Sequence, residues 1–273
     1  MHLLQVLQLG SIDYGTALDL QQTLVDLRKQ GRIADTLLLL EHPPVITLGR
    51  NSKSANIVAS PEFLAEKGVE VFEINRGGDV TFHGSGQLVG YPIVDLRAYS
   101  PKLGAVEFVR KLEESLIRTC AEFSIAAQRV AGMTGVWTDA AEERKIAAIG
   151  IHISRGVTSH GFALNVTTDL DFFKLIVPCG ITDKPVTSME QEIGGLVAES
   201  GKRIEMNTVS EVFTRQFGNV FGTQILWLES LESLLRGGSD GRPANQDTPL
   251  RPPDDLQQLE SELRGRDDIS FSA

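Results

Sequence analysis

KIAAIGIHISRGVTSHGFALNV, residues 145–166, reads as two strands, Lys145 to Ile153 and Val157 to Val166, turning at Arg155-Gly156. Outward from this pair, strand and helix patterns alternate along the chain. Asp13 to Gln30 carries apolar residues at helical spacing (Ala17, Leu20, Leu24, Leu27) and stops at Gly31. Thr36 to Leu40 is a buried-strand candidate broken by Pro43-Pro44, Val69 to Ile74 alternates as a strand, and Leu88 to Leu96 resembles another. Gly104 to Phe123 is the clearest amphipathic helix, with Val109, Leu112, Leu116, Cys120 and Phe123 at helical spacing. A last helix is expected from Asn207, as its N-cap, to Phe221. No internal repeat interrupts the alternation.

Past Trp227 the composition changes. From Leu231 onward the chain is rich in Gly, Pro, Asp, Arg and Gln, too poor in apolar surface to offset the entropy of ordering. The expected organisation is one catalytic domain over residues 1–228 and a mobile tail over 229–273. Within the tail, residues 255–264 (DLQQLESELR) could form a short helix on a partner. The 273 residues carry a formal charge of −10, which argues against a nucleic-acid binder while leaving room for a local basic surface. Two cysteines, one in a helical pattern, do not make a disulfide framework and fit a reducing compartment. No secretory leader pattern opens the chain, and no apolar run approaches membrane-spanning length. A cytoplasmic location is expected.

Cys179 lies in IVPCGI (176–181), between Pro178, which fixes one backbone angle, and Gly180, which tolerates almost any. A residue so placed sits in a shaped turn that can aim a side chain. Cys179 is therefore the candidate nucleophile, with a buried structural thiol as the alternative. Cys120 reads as core filling.

RGGDVTFHGSGQ (76–87) holds four glycines within ten residues, Gly77 to Gly86. The pattern fits a hairpin with glycine bulges, or a loop where backbone approaches a ligand closely. It is neither a P-loop nor a dinucleotide fingerprint: no Lys-Ser or Lys-Thr follows, and the G-x-G-x-x-G order is absent. His83 could be a base, a ligand, an orienting donor or a structural histidine. His42, His152 and His160 have no zinc-ligand spacing with the cysteines, and no metal is assigned.

Taken together, EHPPVITLGR (41–50), RGGDVTFHGSGQLVGYPIVDL (76–96), GVW (135–137), KIAAIGIHISRGVTSHGFALNV (145–166) and VPCGI (177–181) resemble, in order, the motifs of the octanoyltransferase (lipoyl(octanoyl) transferase) family of lipoate biosynthesis. The resemblance spans most of residues 1 to about 225. Ser85 stands where the family usually has proline. The resemblance implies an α/β fold with a mixed sheet flanked by helices, like that of biotin and lipoate protein ligases. It also implies transfer of an octanoyl group from octanoyl-acyl carrier protein to a lysine of lipoyl domains, such as those of 2-oxoacid dehydrogenase E2 subunits and the glycine cleavage H protein. No cofactor is implied. By motif position Cys179 would accept the acyl group, with Lys145 as its partner. Arg76, Gly77, Gly78, Asp79, Val80, Thr81, Phe82 and His83, with Ala148, Ile149 and Gly150 and with Gly161, Phe162 and Ala163, would line the acyl site.

A thioester donor and an amine acceptor suit a cysteine relay, because an acyl-cysteine is itself a reactive thioester. A thiol near pKa 8.5 needs help to ionise at neutral pH, and a cation within about 4–6 Å gives it. Lys145 suits that role, although alone it reads as a solvated strand-end lysine. The small residues Ala148, Gly150, Gly161 and Ala163 leave room for an acyl chain, or serve tight strand packing. Arg76, Arg144 and Arg155 are candidates for a basic rim facing acidic partners. Two rival functions are an ATP-dependent lipoate or biotin protein ligase and a non-enzymatic module that binds a carrier or lipoyl domain.

Overall fold

The computed structural model describes residues 2–52, 54–139, 141–177, 184–200 and 204–236; Cys179 and residues 237–273 lie outside them. The 145–166 pair forms as read: Lys145–Ser154 and Val157–Asn165 are adjacent antiparallel strands turning at Arg155-Gly156, both at positive φ. They are β9 and β10 of an eight-stranded sheet. Its other members are β1 (His2–Ser11), β2 (Asp35–Glu41), β6 (Gln87–Ile93), β7 (Ala127–Val130), β8 (Met133–Thr138) and β11 (Thr223–Trp227), in the order β11-β1-β2-β6-β10-β9-β8-β7. The β11-β1-β2 pairs are parallel and the rest antiparallel. The sheet is mixed, as expected. A second sheet, order β4-β3-β5, is built from β3 (Val45–Leu48), β4 (Glu70–Glu73) and β5 (Val80–His83).

The run Leu37–Leu40 explains the layering. Its side chains alternate across the sheet, and both faces are covered: Leu37 and Leu39 enter one core, Leu38 and Leu40 the other. The first core is closed by helices α3 (Ala105–Glu122), α4 (Met189–Ser200) and α5 (Met206–Phe221); the second by α1 (Tyr14–Lys29) and α6 (Leu231–Arg236). Helix α2 (Pro61–Glu66) packs its Leu64 against the small sheet, in a third cluster with Val80 and Phe82.

Helix α1 buries Ala17, Leu20, Leu24 and Leu27, the stripe read from sequence. In α3 the buried face runs Phe108, Leu112, Leu116, Cys120, so Phe108 rather than Val109 begins it; Cys120 is core filling, fully buried.

Three expectations need correction. Asn207 is not the cap of α5; Glu205 is, and Asn207 Oδ1 instead accepts from Gln8 Nε2 at 2.7 Å. The glycine-rich segment is not a hairpin, because β5 pairs with β3 while β6 pairs with β2 and β10. The chain crosses from one sheet to the other at Gly84–Gly86, where Gly86 N–H donates to Glu41 Oε2 at 2.6 Å. The ordered fold also continues past residue 228: α6 buries Leu231 and Leu234, at 1% and 0% exposure, so apolar packing claims part of the segment assigned to the tail.

The small residues at the centre of the sheet answer a packing demand. A Cβ on Gly161 would collide with the Gly90 carbonyl oxygen and lie 2.7 Å from Pro92 Cδ, and one on Gly90 would enter the Phe162 ring. Strands β6 and β10 meet there with no space for a methyl. A Gly161→Ala variant should therefore lose about 3 kcal/mol of unfolding free energy. Urea denaturation is the check, and a loss under 0.5 kcal/mol would contradict this packing.

Candidate active site

The two sheets enclose a cavity of about 460 Å³, bounded by β5, β6, β9 and β10 and by the loop before β8. Of the residues expected to bind substrate, Arg76, Gly78, Asp79, Val80, Thr81, His83, Ala148, Ile149, Gly150, Gly161, Phe162 and Ala163 line it, and so does Lys145. Gly77 and Phe82 do not. Strand alternation turns Phe82 away from Thr81 and His83, so that it stacks on Phe172 with ring centroids 4.8 Å apart. Gly77 lies behind the wall, its N–H donating to Ile151 O at 2.9 Å and its carbonyl accepting from Arg76 Nη1 at 3.0 Å.

Arg76 fixes the seam between the sheets. Its guanidinium is buried and donates to the Thr47 carbonyl at 2.7 Å and to Thr47 Oγ1 at 2.9 and 3.2 Å. Gly150 permits the approach, since a Cβ there would lie 2.7 Å from Gly77 O and 3.1 Å from Arg76 Cδ. This guanidinium is therefore part of the inner wall and not of a basic rim. Arg144 pairs with Glu192 at 2.9 Å, and of the three arginines named for the rim only Arg155 is exposed.

Sequence reasoning missed much of the floor. Tyr14, Gln87, Tyr91, His160 and Asn165 also line the cavity, and they come from three distant segments, α1, β6 and β10, that only the sheet order assembles. His42 lies beneath them. Its Nδ1–H donates to the Ile12 carbonyl at 2.7 Å, which leaves Nε2 to accept from the Tyr91 hydroxyl at 2.7 Å. His83 Nδ1 donates to Gln87 Oε1 at 2.8 Å, while Gln87 Nε2 donates to Asn165 Oδ1 at 2.9 Å. Burial, then the neighbouring His42, lowers His83 to about 3. Burial lowers His42 to about 4, and burial followed by the Arg76 charge does the same for His160. All three rings are neutral at physiological pH, and burial holds Tyr14 and Tyr91 protonated. Among the described residues no group of histidine, cysteine and carboxylate side chains is arranged to hold a metal ion.

Lys145 begins β9. Its ammonium stands 4.7 Å from the centroid of the buried Trp137 ring, and Lys184 Nζ is 5.7 Å from the same ring. Glu143 pairs with Lys184. The backbone of Lys145 is bonded on both sides: its N–H donates to Pro185 O and its carbonyl accepts from Thr187 N–H, each at 2.9 Å. Asn165 Nδ2 holds the Thr187 carbonyl, also at 2.9 Å. On the other limb, Val177 N–H donates to Asn56 O at 2.8 Å, and Asn56 Nδ2 donates to Asp79 Oδ2 at 2.7 Å. The chain on either side of residues 178–183 is thus pinned to the cavity rim, at Asp79 through Asn56 and at Lys145 directly.

Residues 13–218 match the lipoyl protein ligase A/B catalytic domain. An octanoyltransferase of Koribacter versatilis is 61% identical over 257 residues, covering 94% of this chain and 97% of the relative. One from Acidobacterium capsulatum is 61% identical over 240 residues, covering 85% and 96%. Among solved structures, a lipoate-protein ligase A bound with ATP superposes with a TM-score of 0.67 at 14% identity, covering 100% of this chain and 97% of that one. A bipartite lipoate protein ligase of Thermoplasma acidophilum gives 0.66 at 14%, covering 100% and 95%. The fold is that of the lipoate protein ligases. The chain belongs to the octanoyltransferase family, and it is an enzyme.

The neutral histidines have a measurable consequence. A histidine at about 3 or 4 in the folded state and about 6.5 when unfolded stabilises the fold fully above pH 6.5, and that stability is lost as pH falls toward 4. For His42, His83 and His160 together the slope near pH 5 should be on the order of 3 kcal/mol per pH unit. Urea titrations at pH 7, 6 and 5 check it, and no loss between pH 7 and 5 would contradict the neutral assignment. Triple replacement by Gln should flatten the slope.

Proposed function

We propose that the protein transfers an octanoyl group from octanoyl-acyl carrier protein to a specific lysine of lipoyl domains, by way of a thioester on Cys179, as the first step of endogenous protein lipoylation. The acceptors are lipoyl domains of 2-oxoacid dehydrogenase E2 subunits and of the glycine cleavage H protein, and the reaction belongs in the cytoplasm. One observation carries the reading: the residues flanking the segment that bears Cys179 are hydrogen-bonded at the rim of the cavity, Val177 to Asn56 on one side and Pro185 and Thr187 to the backbone of Lys145 on the other.

In the first half-reaction the Cys179 thiolate attacks the donor's carbonyl carbon, and the carrier's thiolate departs and takes up a proton. The Lys145 ammonium stabilises the Cys179 thiolate before attack. In the second half-reaction the target lysine's amine attacks the acyl-cysteine, forming an amide and releasing the Cys179 thiolate. Acylation removes the anion beside Lys145, which then loses its proton more readily and accepts one from the attacking amine. The apolar part of the cavity, including Ile149, Phe162 and Ala163, receives the hydrocarbon, at roughly 0.8 kcal/mol per buried methylene. His83, lowered to about 3 by burial, is too weak a base to compete for the proton, and Tyr91 stays protonated.

Incubation with octanoyl-acyl carrier protein and no ATP should give an octanoyl adduct on Cys179 by mass spectrometry, lost in Cys179→Ala. An ATP requirement would favour a ligase, and transfer undiminished in Cys179→Ala would mean another nucleophile or direct transfer from the donor. Lys145→Arg should keep much of the acylation step and slow the second step at least 100-fold; full second-step activity in that variant rules out proton acceptance by Lys145.

A further inference from the structure

Asp79 immediately precedes β5 at the cavity rim, and both oxygens of its carboxylate are engaged by the protein itself. Oδ1 accepts from the Val80 N–H and Oδ2 from Asn56 Nδ2, each at 2.7 Å. Asn56 ends the short 3-10 turn Ser54–Asn56, and its carbonyl accepts from the Val177 N–H at 2.8 Å. This one residue therefore joins two segments. Its side chain binds the glycine-rich loop, and its backbone binds the limb at Val177, two residues before Cys179.

Both anchors are firm. Beyond Asn56 the chain zips onto the same limb: Ile57 bridges Ile176 in antiparallel register, and the Val58 N–H donates to Leu175 O at 2.9 Å. Ile57, Leu175 and Ile176 pack into the apolar cluster of the small sheet. On the loop side, the Gly49 N–H donates to the Asp79 carbonyl at 3.2 Å and the Asn51 N–H to the Gly78 carbonyl at 3.1 Å. Apolar packing is not directional, so it holds the 56–58 and 175–177 bridge on the sheet without fixing its place along the rim. The hydrogen bond from Asn56 to Asp79 is directional, and its ionised acceptor makes it about twice as strong as a neutral one.

We propose that Asn56 and Asp79 are positioning residues that set where the limb leading to Cys179 leaves the fold, and that Asp79 serves the reaction in this way rather than by contacting the acyl donor. The inference rests on reading Cys179 as the acyl acceptor. Acyl transfer needs reacting atoms about 3–3.5 Å apart, and a misplacement of about 1 Å costs on the order of a hundredfold in rate. Loss of the tie therefore lowers the rate at saturating donor and leaves donor binding alone. The pair has a defined polarity. The Val80 N–H and Asn56 Nδ2 both donate, so position 79 must offer two acceptors, and an asparagine there loses one of the two bonds. A carboxylate at position 56 faces another at position 79. Exchanging the two residues restores both bonds: an asparagine at position 79 keeps its oxygen for Val80 and turns its amide to the carboxylate at position 56.

The test uses the full-length chain in four forms: unsubstituted, Asn56→Asp, Asp79→Asn and the double exchange, each assayed where urea titration shows it fully folded. In either single variant the maximal rate of octanoyl-adduct formation on Cys179 should fall by about tenfold or more, while the half-saturating concentration of octanoyl-acyl carrier protein changes by less than about twofold. The Val177 amide should exchange with deuterium about tenfold faster or more. The double exchange should bring both readouts back to within about threefold of the unsubstituted protein. A raised half-saturating concentration at an unchanged maximal rate means that Asp79 contacts the donor, and it overturns the inference; so does a double variant as slow as the single ones. Asn56→Ala, which adds no charge, keeps the test open should Asn56→Asp fail to fold. The two readings fail separately: no adduct on Cys179 in the unsubstituted protein sinks the acyl-acceptor reading, and exchange at Val177 still judges the tie, which falls if the single variants leave that exchange unchanged.

Discussion

The buried guanidinium of Arg76 is the constraint on which the site depends. A cation removed from water must be surrounded by oxygen atoms, and here Thr47 of the small sheet and the carbonyl of Gly77 supply them. Meeting that demand draws the small sheet onto β9 and requires glycine at position 150. The space left between the sheets is the cavity. The same charge, added to burial, helps keep His83 and His160 neutral, so the cavity presents uncharged imidazoles where an apolar chain is proposed to lie. Removing the guanidinium would act at once on sheet docking, cavity shape and histidine titration.

The two ends of the cavity differ in chemistry. One is polar and tied to the backbone: Lys145 sits over Trp137, and its peptide groups hold the limb that returns from residues 178–183. Toward the other end, His160 borders both the cavity and a separate cleft. The fold is shared with the lipoate protein ligases, and the proposed relay requires a thiol at the Lys145 end.

Much of this was legible in the sequence where local pattern suffices. The β9-β10 pair, the α1 stripe from Ala17 to Leu27 and the buried run of β2 follow from periodicity alone. Strand β1 escaped notice because Gln5 and Gln8 interrupt its apolar residues, yet Gln5 is fully buried. The glycine-rich segment looked like a hairpin because its strand propensity is local, while its pairing is not. Most of the floor was illegible for the same reason. Tyr14, Tyr91, His160 and Asn165 meet only because β10 lies between β6 and β9 and α1 packs across them. Ordered motifs pointed to Arg76, Lys145 and His83, but nothing in them shows that Phe82 turns away. Gly150 and Gly161 were open to two readings, and close backbone approach explains both while each also borders the cavity.

The central claim is that Lys145 makes Cys179 a thiolate, and the pH dependence of alkylation tests it most directly. Iodoacetamide kinetics report the ionised thiol, and Cys120 contributes nothing because burial pushes its thiol to about 12. The account expects Cys179 to react with an inflection at least one pH unit below the ordinary value of about 8.5, and expects Lys145→Met to move that inflection back up. Identical inflections near 8.5 in both proteins would contradict it.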